Sequence, residues 1–255
     1  MSPLVLATDL DGTFLGGDGI QRRELYDHLE RRALEGGLTL IFVTGRDLGF
    51  VAELIADPDV PTPHLVIGDV GTTVVHGHDL SPVTPVQSWI DDRWAEADAQ
   101  VRALLDEAPG LERQAVQGGR RVSYHYDPAT LRLETVAAVE AAGFDVLLSA
   151  DRYLDVLPPG IAKGPTLTRL VAYLGLPTDH VLVAGDTLTD RSLFETPFRG
   201  VAVGNSEPAL LAAIDGLDGV HRSSLPGCAA ITDALQHFGF VDLPAPSSPS
   251  DRTSA

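Results

Sequence analysis

Short apolar runs alternate with amphipathic segments along most of the chain. The uninterrupted apolar runs predict buried β-strands at residues 4–8, 38–44, 64–67, 181–184 and 201–203. Between them, apolar residues recur at helical spacing, as at Leu25, Leu29 and Ala33. This spacing predicts helices at residues 21–35, 48–55, 165–174, 191–195, 208–213 and 229–237. Buried strands joined by helices are typical of an α/β fold with a doubly wound parallel sheet.

The pattern changes after residue 80, where Ser81-Pro82 and Thr84-Pro85 interrupt regular structure. A long amphipathic helix is predicted over residues 86–107, with Trp89 and Trp94 on its apolar face. A strand at 122–126, a helix at 131–142 and a hairpin of strands at 144–149 and 153–157 follow. The sequence therefore predicts a core domain of residues 1–80 and 160–243, interrupted by a smaller α+β domain of residues 81–159. Residues 244–255, rich in Pro and Ser, are predicted to be disordered.

Charge and composition exclude several classes of protein. The 255 residues include 18 Lys and Arg against 36 Asp and Glu, a formal net charge of −18. We therefore expect no binding to nucleic acid, because phosphate backbones are held by Lys and Arg. No run approaches the ~18 apolar residues of a membrane span, and the N-terminus lacks the features of a signal peptide. The single cysteine, Cys228, fits a reducing cytoplasm.

Acidic residues follow two of the predicted strands. Asp9 and Asp11 come directly after residues 4–8, and Asp186 and Asp190 follow residues 181–184. Ligands of open parallel sheets bind beyond the carboxyl ends of the strands. A divalent cation there would offset the repulsion between carboxylates, and such oxygen ligands suit Mg²⁺. The alternatives are an ordinary Asp-Gly turn after Asp11 and a helix-capping role for Asp190.

Two further segments supply groups that can bind phosphate. Thr44 and Gly45 end the second strand, where a hydroxyl and a backbone amide can donate to a phosphate oxygen. Thr44 as the cap of a following helix is the alternative for this pair. Lys163 precedes a helix, and its ammonium can neutralise a bound phosphate or pair with Asp190.

In chain order these motifs read DxDGT, TG, K and GDxxxD. The sequence resembles the haloacid-dehalogenase-like (HAD-like) superfamily of phosphotransferases, whose four motifs match here as Asp9/Asp11, Thr44, Lys163 and Asp186/Asp190. The insert lies where that superfamily carries its type-two cap. Its segments VSYHYDP (residues 122–128) and DVLP (residues 155–158) resemble the cap of sucrose-phosphate phosphatases. The segments SLFE (residues 192–195) and GVAVGNSEPAL (residues 200–210) are similar to that family as well.

The resemblance implies a role for each motif residue. Asp9 would attack phosphorus and form an aspartyl phosphate, and Asp11 would protonate the leaving sugar oxygen and then activate water. Mg²⁺ would be held by the carboxylates of Asp9 and Asp186 and by the backbone carbonyl of Asp11, with Asp190 in the same metal centre. The non-reacting phosphate oxygens would be held by Thr44, the Gly45 amide and Lys163.

Four residues are predicted to contact the substrate, namely Arg46 in the cleft and Arg121, Tyr124 and His125 in the cap. Strand alternation places Arg121, Ser123 and His125 on one face and Tyr124 on the other, so a position in the cap core is the alternative for Tyr124. Three positions depart from the family pattern: Thr189 stands where Asn is common, and Ala162 and Pro165 replace the two Asn residues of the motif around Lys163.

The sequence thus predicts an Mg²⁺-dependent phosphatase of a sugar phosphate, with a disaccharide or pseudo-disaccharide phosphate favoured by the cap resemblance. A phosphosugar mutase with the same nucleophile is one alternative. A non-catalytic protein that binds a sugar phosphate is the other. The sequence does not indicate an oligomeric state.

Overall fold

The protein is represented by a computed structural model, which describes residues 3–95, 97–116 and 120–241. The tail predicted for residues 244–255 lies outside the described residues. The strands are β1 (Leu4–Thr8), β2 (Leu38–Val43), β3 (Leu65–Gly68), β4 (Thr73–His76), β5 (Leu111–Arg113), β6 (Val122–Tyr126), β7 (Asp145–Ser149), β8 (Tyr153–Leu157), β9 (Val181–Gly185), β10 (Arg199–Ala202) and β11 (Val220–Arg222). The helices are α1 (Gly19–Leu34), α2 (Leu48–Ile55), α3 (Thr84–Trp94), α4 (Asp98–Leu105), α5 (Leu133–Ala141), α6 (Lys163–Leu174), α7 (Arg191–Phe194), α8 (Pro208–Ala213) and α9 (Cys228–His237).

The larger sheet confirms the predicted α/β fold. Seven strands lie in the order β11-β10-β9-β1-β2-β3-β4, and each pairing except the antiparallel β3–β4 pair is parallel. In β1, Leu4 and Leu6 pack in a cluster with α1 and α9, whereas Val5 and Ala7 pack in a second cluster with α6. The two faces of the sheet are therefore both covered, which explains the uninterrupted apolar runs. The apolar pattern did not predict the short strands β4 and β11.

The second sheet is antiparallel and lies in the inserted segment. Its strand order is β5-β6-β8-β7. A third hydrophobic cluster joins this sheet to α4 and α5 through residues such as Val101, Val122, Val139 and Val156. Two separate hydrophobic clusters for the larger sheet and one for the smaller sheet are typical of a core with a cap that has its own interior.

The predicted long helix over residues 86–107 is wrong, because the structure divides it into α3 and α4. Ala95 adopts a left-handed conformation, with φ of 43°, directly after α3. Val86 and Ile90 pack with the core cluster, while Trp94 and Val101 pack in the cap cluster. The break therefore lets one amphipathic pattern serve two different hydrophobic interiors.

Within the described residues, none of the helices combines the length and the apolar character needed to cross a lipid bilayer.

Close packing sets the position of helix α6 at the carboxyl edge of the large sheet. A Cβ atom on Gly164, the second residue of α6, would lie 1.8 Å from the carbonyl oxygen of Ser192 in α7. The Gly164 amide also donates to the Ser192 hydroxyl at 3.1 Å. Glycine thus allows the start of α6 to touch α7, and this contact fixes the backbone of the preceding residue, Lys163.

We predict that Gly164→Ala lowers the free energy of unfolding by about 1–3 kcal/mol, because the added methyl group must push α6 away from α7. Urea unfolding of both proteins would measure the change. Gly19→Ala is the matched control, since Gly19 is also a helical glycine but its Cβ would meet nothing within 4 Å. An equal effect of the two substitutions would contradict the role of the Gly164 contact.

Candidate active site

A buried ammonium group connects three separate parts of the core. Lys163 Nζ donates to Asp9 Oδ1 at 2.7 Å and to Asp190 Oδ1 at 2.6 Å. Asp9 follows β1, Lys163 begins α6, and Asp190 ends a short 3₁₀ turn, Leu188–Asp190. The side chains of Lys163 and Asp190 are at most 1% exposed. The structure therefore brings together three of the predicted site residues as a buried ion-pair network.

The second carboxylate oxygen of Asp190 fixes the loop after β9. Asp190 Oδ2 accepts from the backbone amides of Asp186 and Thr187, each at 3.0 Å. Glu207 adds two bonds to the same loop, since its amide donates to Asp186 O at 2.8 Å and its carboxylate accepts from Leu188 N at 2.9 Å. Asp190 therefore both pairs with Lys163 and closes the 3₁₀ turn that it ends. Its side chain makes no capping hydrogen bond to α7, the helix for which the sequence offered it as a cap.

Asp186 lies against a wide turn, Leu10–Phe14, that follows Asp9. Thr13 Oγ1 donates to Asp186 Oδ1 at 2.9 Å. Gly12 has φ of +77°, and a Cβ atom there would lie 2.2 Å from Asp186 Oδ2. The Gly-Thr pair of the first motif thus permits a left-handed turn and the close approach of an acidic side chain.

The charges of this cluster are not balanced by the protein alone. One carboxylate oxygen from each of Asp9, Asp186 and Asp190 lies within 4.8 Å of the others. Among the described residues, the cation that forms hydrogen bonds to these carboxylates is Lys163, so three negative groups face one positive group. Burial, followed by repulsion from Asp190, raises the pKa of Asp186 to about 7. Burial also raises the pKa of Asp9 to about 8, although Lys163 opposes this shift. A divalent cation would relieve both effects, so the donor set fits a metal ion.

Asp11 takes a different position from Asp9. Its carboxylate forms two hydrogen bonds with the guanidinium of Arg46, at 2.8 and 3.0 Å, and about half of each side chain is exposed. Arg46 in turn lies over the ring of Phe50, 4.7 Å from its centroid. The side chain of Asp11 is not in the acidic cluster of Asp9, Asp186 and Asp190, but it lines a cavity that opens above this cluster.

The Thr44-Gly45 segment follows β2 beside this cluster. Thr44 is buried, and its hydroxyl oxygen accepts from the Arg46 amide at 3.1 Å, a bond that leaves the hydroxyl proton unused. Gly45 lines the cavity together with Arg46. Thr44 therefore stabilises the turn after β2, and its hydroxyl keeps a proton to donate. It does not cap α2, the alternative role that the sequence offered, because Asp47 is the N-cap of that helix and accepts from the Phe50 amide at 2.9 Å.

A cavity of about 380 Å³ opens above the cluster, between the core and the smaller sheet. Its described walls carry mostly polar groups from both sides. The core contributes Asp9, Asp11, Gly45, Arg46, Val70, Lys163, Thr187 and Thr189, and the cap contributes Gln114, Arg121, Ser149, Tyr153 and Asp155. A larger surface groove of about 870 Å³ runs along α1, but it lacks this buried charge cluster, so the smaller cavity is the candidate active site.

Arg121 spans the cavity from the cap to the core. It donates from Nη1 to Asp155 Oδ1 at 2.9 Å, and from Nη2 to Asp69 Oδ1 at 3.1 Å. Ser123 donates to the same oxygen of Asp155. Arg121, which was predicted as a cap residue in contact with the substrate, lies on the cavity wall, whereas Asp69 and Asp155 were not predicted as site residues.

The two other predicted cap contacts are not on the cavity wall. Tyr124 is buried in the cap cluster, and its hydroxyl donates to Asp106 Oδ1 at 2.7 Å. It therefore takes the cap-core position that strand alternation offered as the alternative, rather than the predicted position at the substrate. The ring of His125 packs on Tyr153 at 5.4 Å, and Tyr153 is the residue of this pair that lines the cavity.

Three of the missed wall residues, Tyr153, Asp155 and Thr189, had a signal in the sequence. Tyr153 and Asp155 are two apart in a predicted strand, so alternation assigns them to one face. Thr189, which was identified as a departure from the family pattern, lies on the cavity wall and shares a hydrogen bond with Thr187 at 2.8 Å. Gln114 and Ser149 had no such signal, because isolated polar residues near strand ends are common on any surface.

Comparison with solved structures defines the class of the fold. A haloacid-dehalogenase-like hydrolase from Bacillus subtilis aligns with 94% of this chain and 94% of its own, at a TM-score of 0.68 and 19% identity. The large parallel sheet and the inserted antiparallel sheet therefore have the same fold as that protein. The chain belongs to the sucrose-6F-phosphate phosphohydrolase family, whose model matches residues 2–239.

The relatives differ in the sugars that their names contain. The chain is 46% identical over 241 residues to a glucosylglycerol-phosphate synthase from Pseudomonas anguilliseptica, a match that covers 93% of this chain but 31% of that protein. It is 30% identical to a mannosylfructose-phosphate phosphatase from Agrobacterium fabrum, over 94% of this chain and 99% of that one. The sucrose-phosphatase from Synechocystis, solved with sucrose and phosphate, aligns at a TM-score of 0.84 and 27% identity, over 94% of this chain and 99% of its own. The chain thus spans about a third of the first relative and nearly the whole of the other two.

We predict that Lys163→Met lowers the free energy of unfolding by about 3–5 kcal/mol, because it leaves Asp9 and Asp190 buried without their cation. The double variant Lys163→Met/Asp190→Asn should recover part of this loss, since it removes one of the two unpaired charges. Chemical unfolding in the absence of divalent cations would measure both. A double variant less stable than Lys163→Met would contradict the proposed repulsion.

Proposed function

We propose that the protein hydrolyses the phosphate ester of a small two-unit sugar, either a disaccharide or a sugar linked to a short polyol. The observation that supports this most directly is the two-sided cavity. The Asp9 carboxylate lies on its core wall, and the cap wall carries Gln114, Ser149, Tyr153, the Asp155 carboxylate and the Arg121 guanidinium. Hydroxyl groups of a sugar match such a wall, because each can donate and accept. The sugars named in the relatives are of this size, which favours the same class of substrate.

Asp9 is the nucleophile of the proposed reaction. Its oxygen would form a bond to phosphorus while the bond from phosphorus to the sugar oxygen breaks, and water would then release phosphate from the aspartyl group. Lys163, hydrogen-bonded to Asp9, would compensate the negative charge of the phosphoryl oxygens, together with the Gly45 amide and the Thr44 hydroxyl. Asp11, on the same cavity wall, would protonate the leaving oxygen and accept a proton from water.

Asp9 and Asp186 would hold Mg²⁺, with the backbone carbonyl of Asp11 as a further ligand that the family resemblance implies. The ion would supply charge compensation for the phosphoryl group. Asp190 contributes less directly, since its two oxygens already accept from Lys163 and from the amides of Asp186 and Thr187. Its role in the metal centre is therefore to orient the loop that carries Asp186.

A phosphosugar mutase would need the same nucleophile and stays an alternative. The mutase reaction returns the phosphoryl group to another hydroxyl, so the intermediate must be protected from water until the sugar has turned. The cavity wall carries Thr187 and Thr189 beside the acidic cluster, and both are partly exposed, which favours access of water and hence hydrolysis. The cytoplasmic location and the lack of nucleic-acid binding stay predictions from composition.

A screen of monosaccharide, disaccharide and glycosylglycerol phosphates for phosphate release would test the proposed function. We expect the two-unit sugars to give the highest kcat/KM, with Mg²⁺ present. Asp9→Asn should lower kcat by more than about a thousandfold while the protein stays folded. Isomerised sugar phosphate without free phosphate would instead identify a mutase, and tight binding without turnover would identify a non-catalytic binding protein.

Mg²⁺ should stabilise the folded protein because it relieves the repulsion between buried carboxylates. At about 100 times its Kd, the ion should raise Tm by roughly 5 °C or more. Asp186→Asn should abolish most of this shift, whereas Asp179→Asn, in which an exposed aspartate before β9 is neutralised, should leave it unchanged. A shift of equal size in both variants would show that Mg²⁺ binds elsewhere.

A further inference from the structure

Arg121 forms an ion pair with a core carboxylate outside the four motifs. Asp69 Oδ1 accepts from Arg121 Nη2 at 3.1 Å, and the side chains of Asp69 and Arg121 are 4% and 10% exposed. The other carboxylate oxygen of Asp69 accepts from the Thr73 hydroxyl at 3.0 Å. Asp69 Oδ2 thus bonds to Thr73 within the core, and Asp69 Oδ1 bonds to Arg121, the residue directly before the cap strand β6.

Asp69 begins a strained turn that touches the start of α6. Three consecutive residues have positive φ, namely 51° at Asp69, 60° at Val70 and 105° at Gly71. For Asp69 and Val70 this conformation is unfavourable and persists only if the surroundings hold it. A Cβ atom on Gly71 would lie 2.8 Å from the Lys163 amide, and Gly71 O accepts from the Thr166 hydroxyl at 2.9 Å. The turn therefore lies between the cap ion pair and the backbone of Lys163.

The same turn contributes to the cavity wall. Val70 lines the cavity, between Asp69 and Gly71 in sequence, and Arg121 lies on the opposite side with Asp155. Arg121 therefore donates to two carboxylates. One is Asp155, on the cap wall of the cavity, and the other is Asp69, in the core turn whose Gly71 carbonyl accepts from Thr166 of α6. Its planar guanidinium can donate to both at once, which a single ammonium does less well.

We propose that Asp69 is a positioning residue for the reaction, because its ion pair with Arg121 holds the cap wall in register with the core wall around a bound sugar phosphate. Asp69 does not touch the reacting atoms in this assignment. It acts through Arg121, and its loss weakens the binding of substrates that need both walls. The use of a sugar phosphate as the test substrate rests on the proposed function. The effect of the ion pair on the position of the cap does not depend on that function.

Asp69→Asn is the variant that tests this role. Asparagine tolerates the left-handed conformation and keeps an acceptor for Thr73, but it removes the charge that faces Arg121. We expect kcat/KM for the two-unit sugar phosphate, relative to that for para-nitrophenyl phosphate, to fall at least about tenfold, mainly through KM. The aryl ester serves as the reference because it is too short to contact the cap wall as a glycosyl group would.

Thr73→Val is the matched control, since it removes the other hydrogen bond of Asp69 and leaves the ion pair in place. It should lower Tm without changing the ratio of the two kcat/KM values. A fall in Tm for Asp69→Asn with an unchanged ratio, or an equal loss on both substrates, would overturn the proposal in favour of a structural role.

Hydrogen exchange of the protein without substrate separates this proposal from the proposed function. Amides of residues 120–126 should exchange faster in Asp69→Asn than in the unmodified protein or in Thr73→Val. The substitution removes the charged partner of Arg121 in the core and leaves only its longer bond to the Gly45 carbonyl, at 3.5 Å. Unchanged exchange in that strand would overturn the proposal even if sugar phosphates are hydrolysed. Faster exchange without hydrolysis of any sugar phosphate would support the ion pair and reject the proposed function alone.

Discussion

The contact of Lys163 with two buried carboxylates is the constraint on which the site depends. Asp9, Lys163 and Asp190 lie on three different elements, and each would carry a large desolvation cost if it were buried alone. Their mutual hydrogen bonds offset that cost only while β1, α6 and the Leu188–Asp190 turn keep their relative positions. The packing of Gly164 on α7 and the amide bonds to Asp190 are therefore part of the same electrostatic arrangement.

The core and the cap have different roles in this arrangement. The core holds the groups that act on phosphorus, and their geometry follows from backbone positions at strand ends. The cap contributes side chains from its sheet and from the residues next to the strands, and these form the opposite wall of the cavity. Relatives whose names contain different sugars nevertheless align with nearly all of this chain, which agrees with such a division.

The sequence predicted which core residues would lie together, because strand ends are easy to recognise. An apolar run that stops at a charged residue indicates both the element and the edge where the residue lies, as for Asp9 and Asp186. The same reasoning applied to the third strand would have identified Asp69. The cap was less predictable. Alternation shows which residues of a strand share a face, but not which face packs in the interior of the cap and which faces the cavity. For this reason it offered Tyr124 two positions, and the break at Ala95 had no local signal, since alanine favours helices.

The position of β1 has a consequence for the order of folding. This strand lies at the centre of the sheet, where Leu6 pairs with Leu40 on one side and with Leu182 on the other. During synthesis β2 follows soon after β1, but β9 is made after the whole cap. One edge of the buried, apolar β1–β2 pair therefore stays open while the insert is translated, which exposes a surface prone to aggregation. A cap that folds early, around its own hydrophobic cluster, reduces the length of flexible chain between the early strands and β9. This lowers the entropy cost of bringing β9 to the open edge of β1.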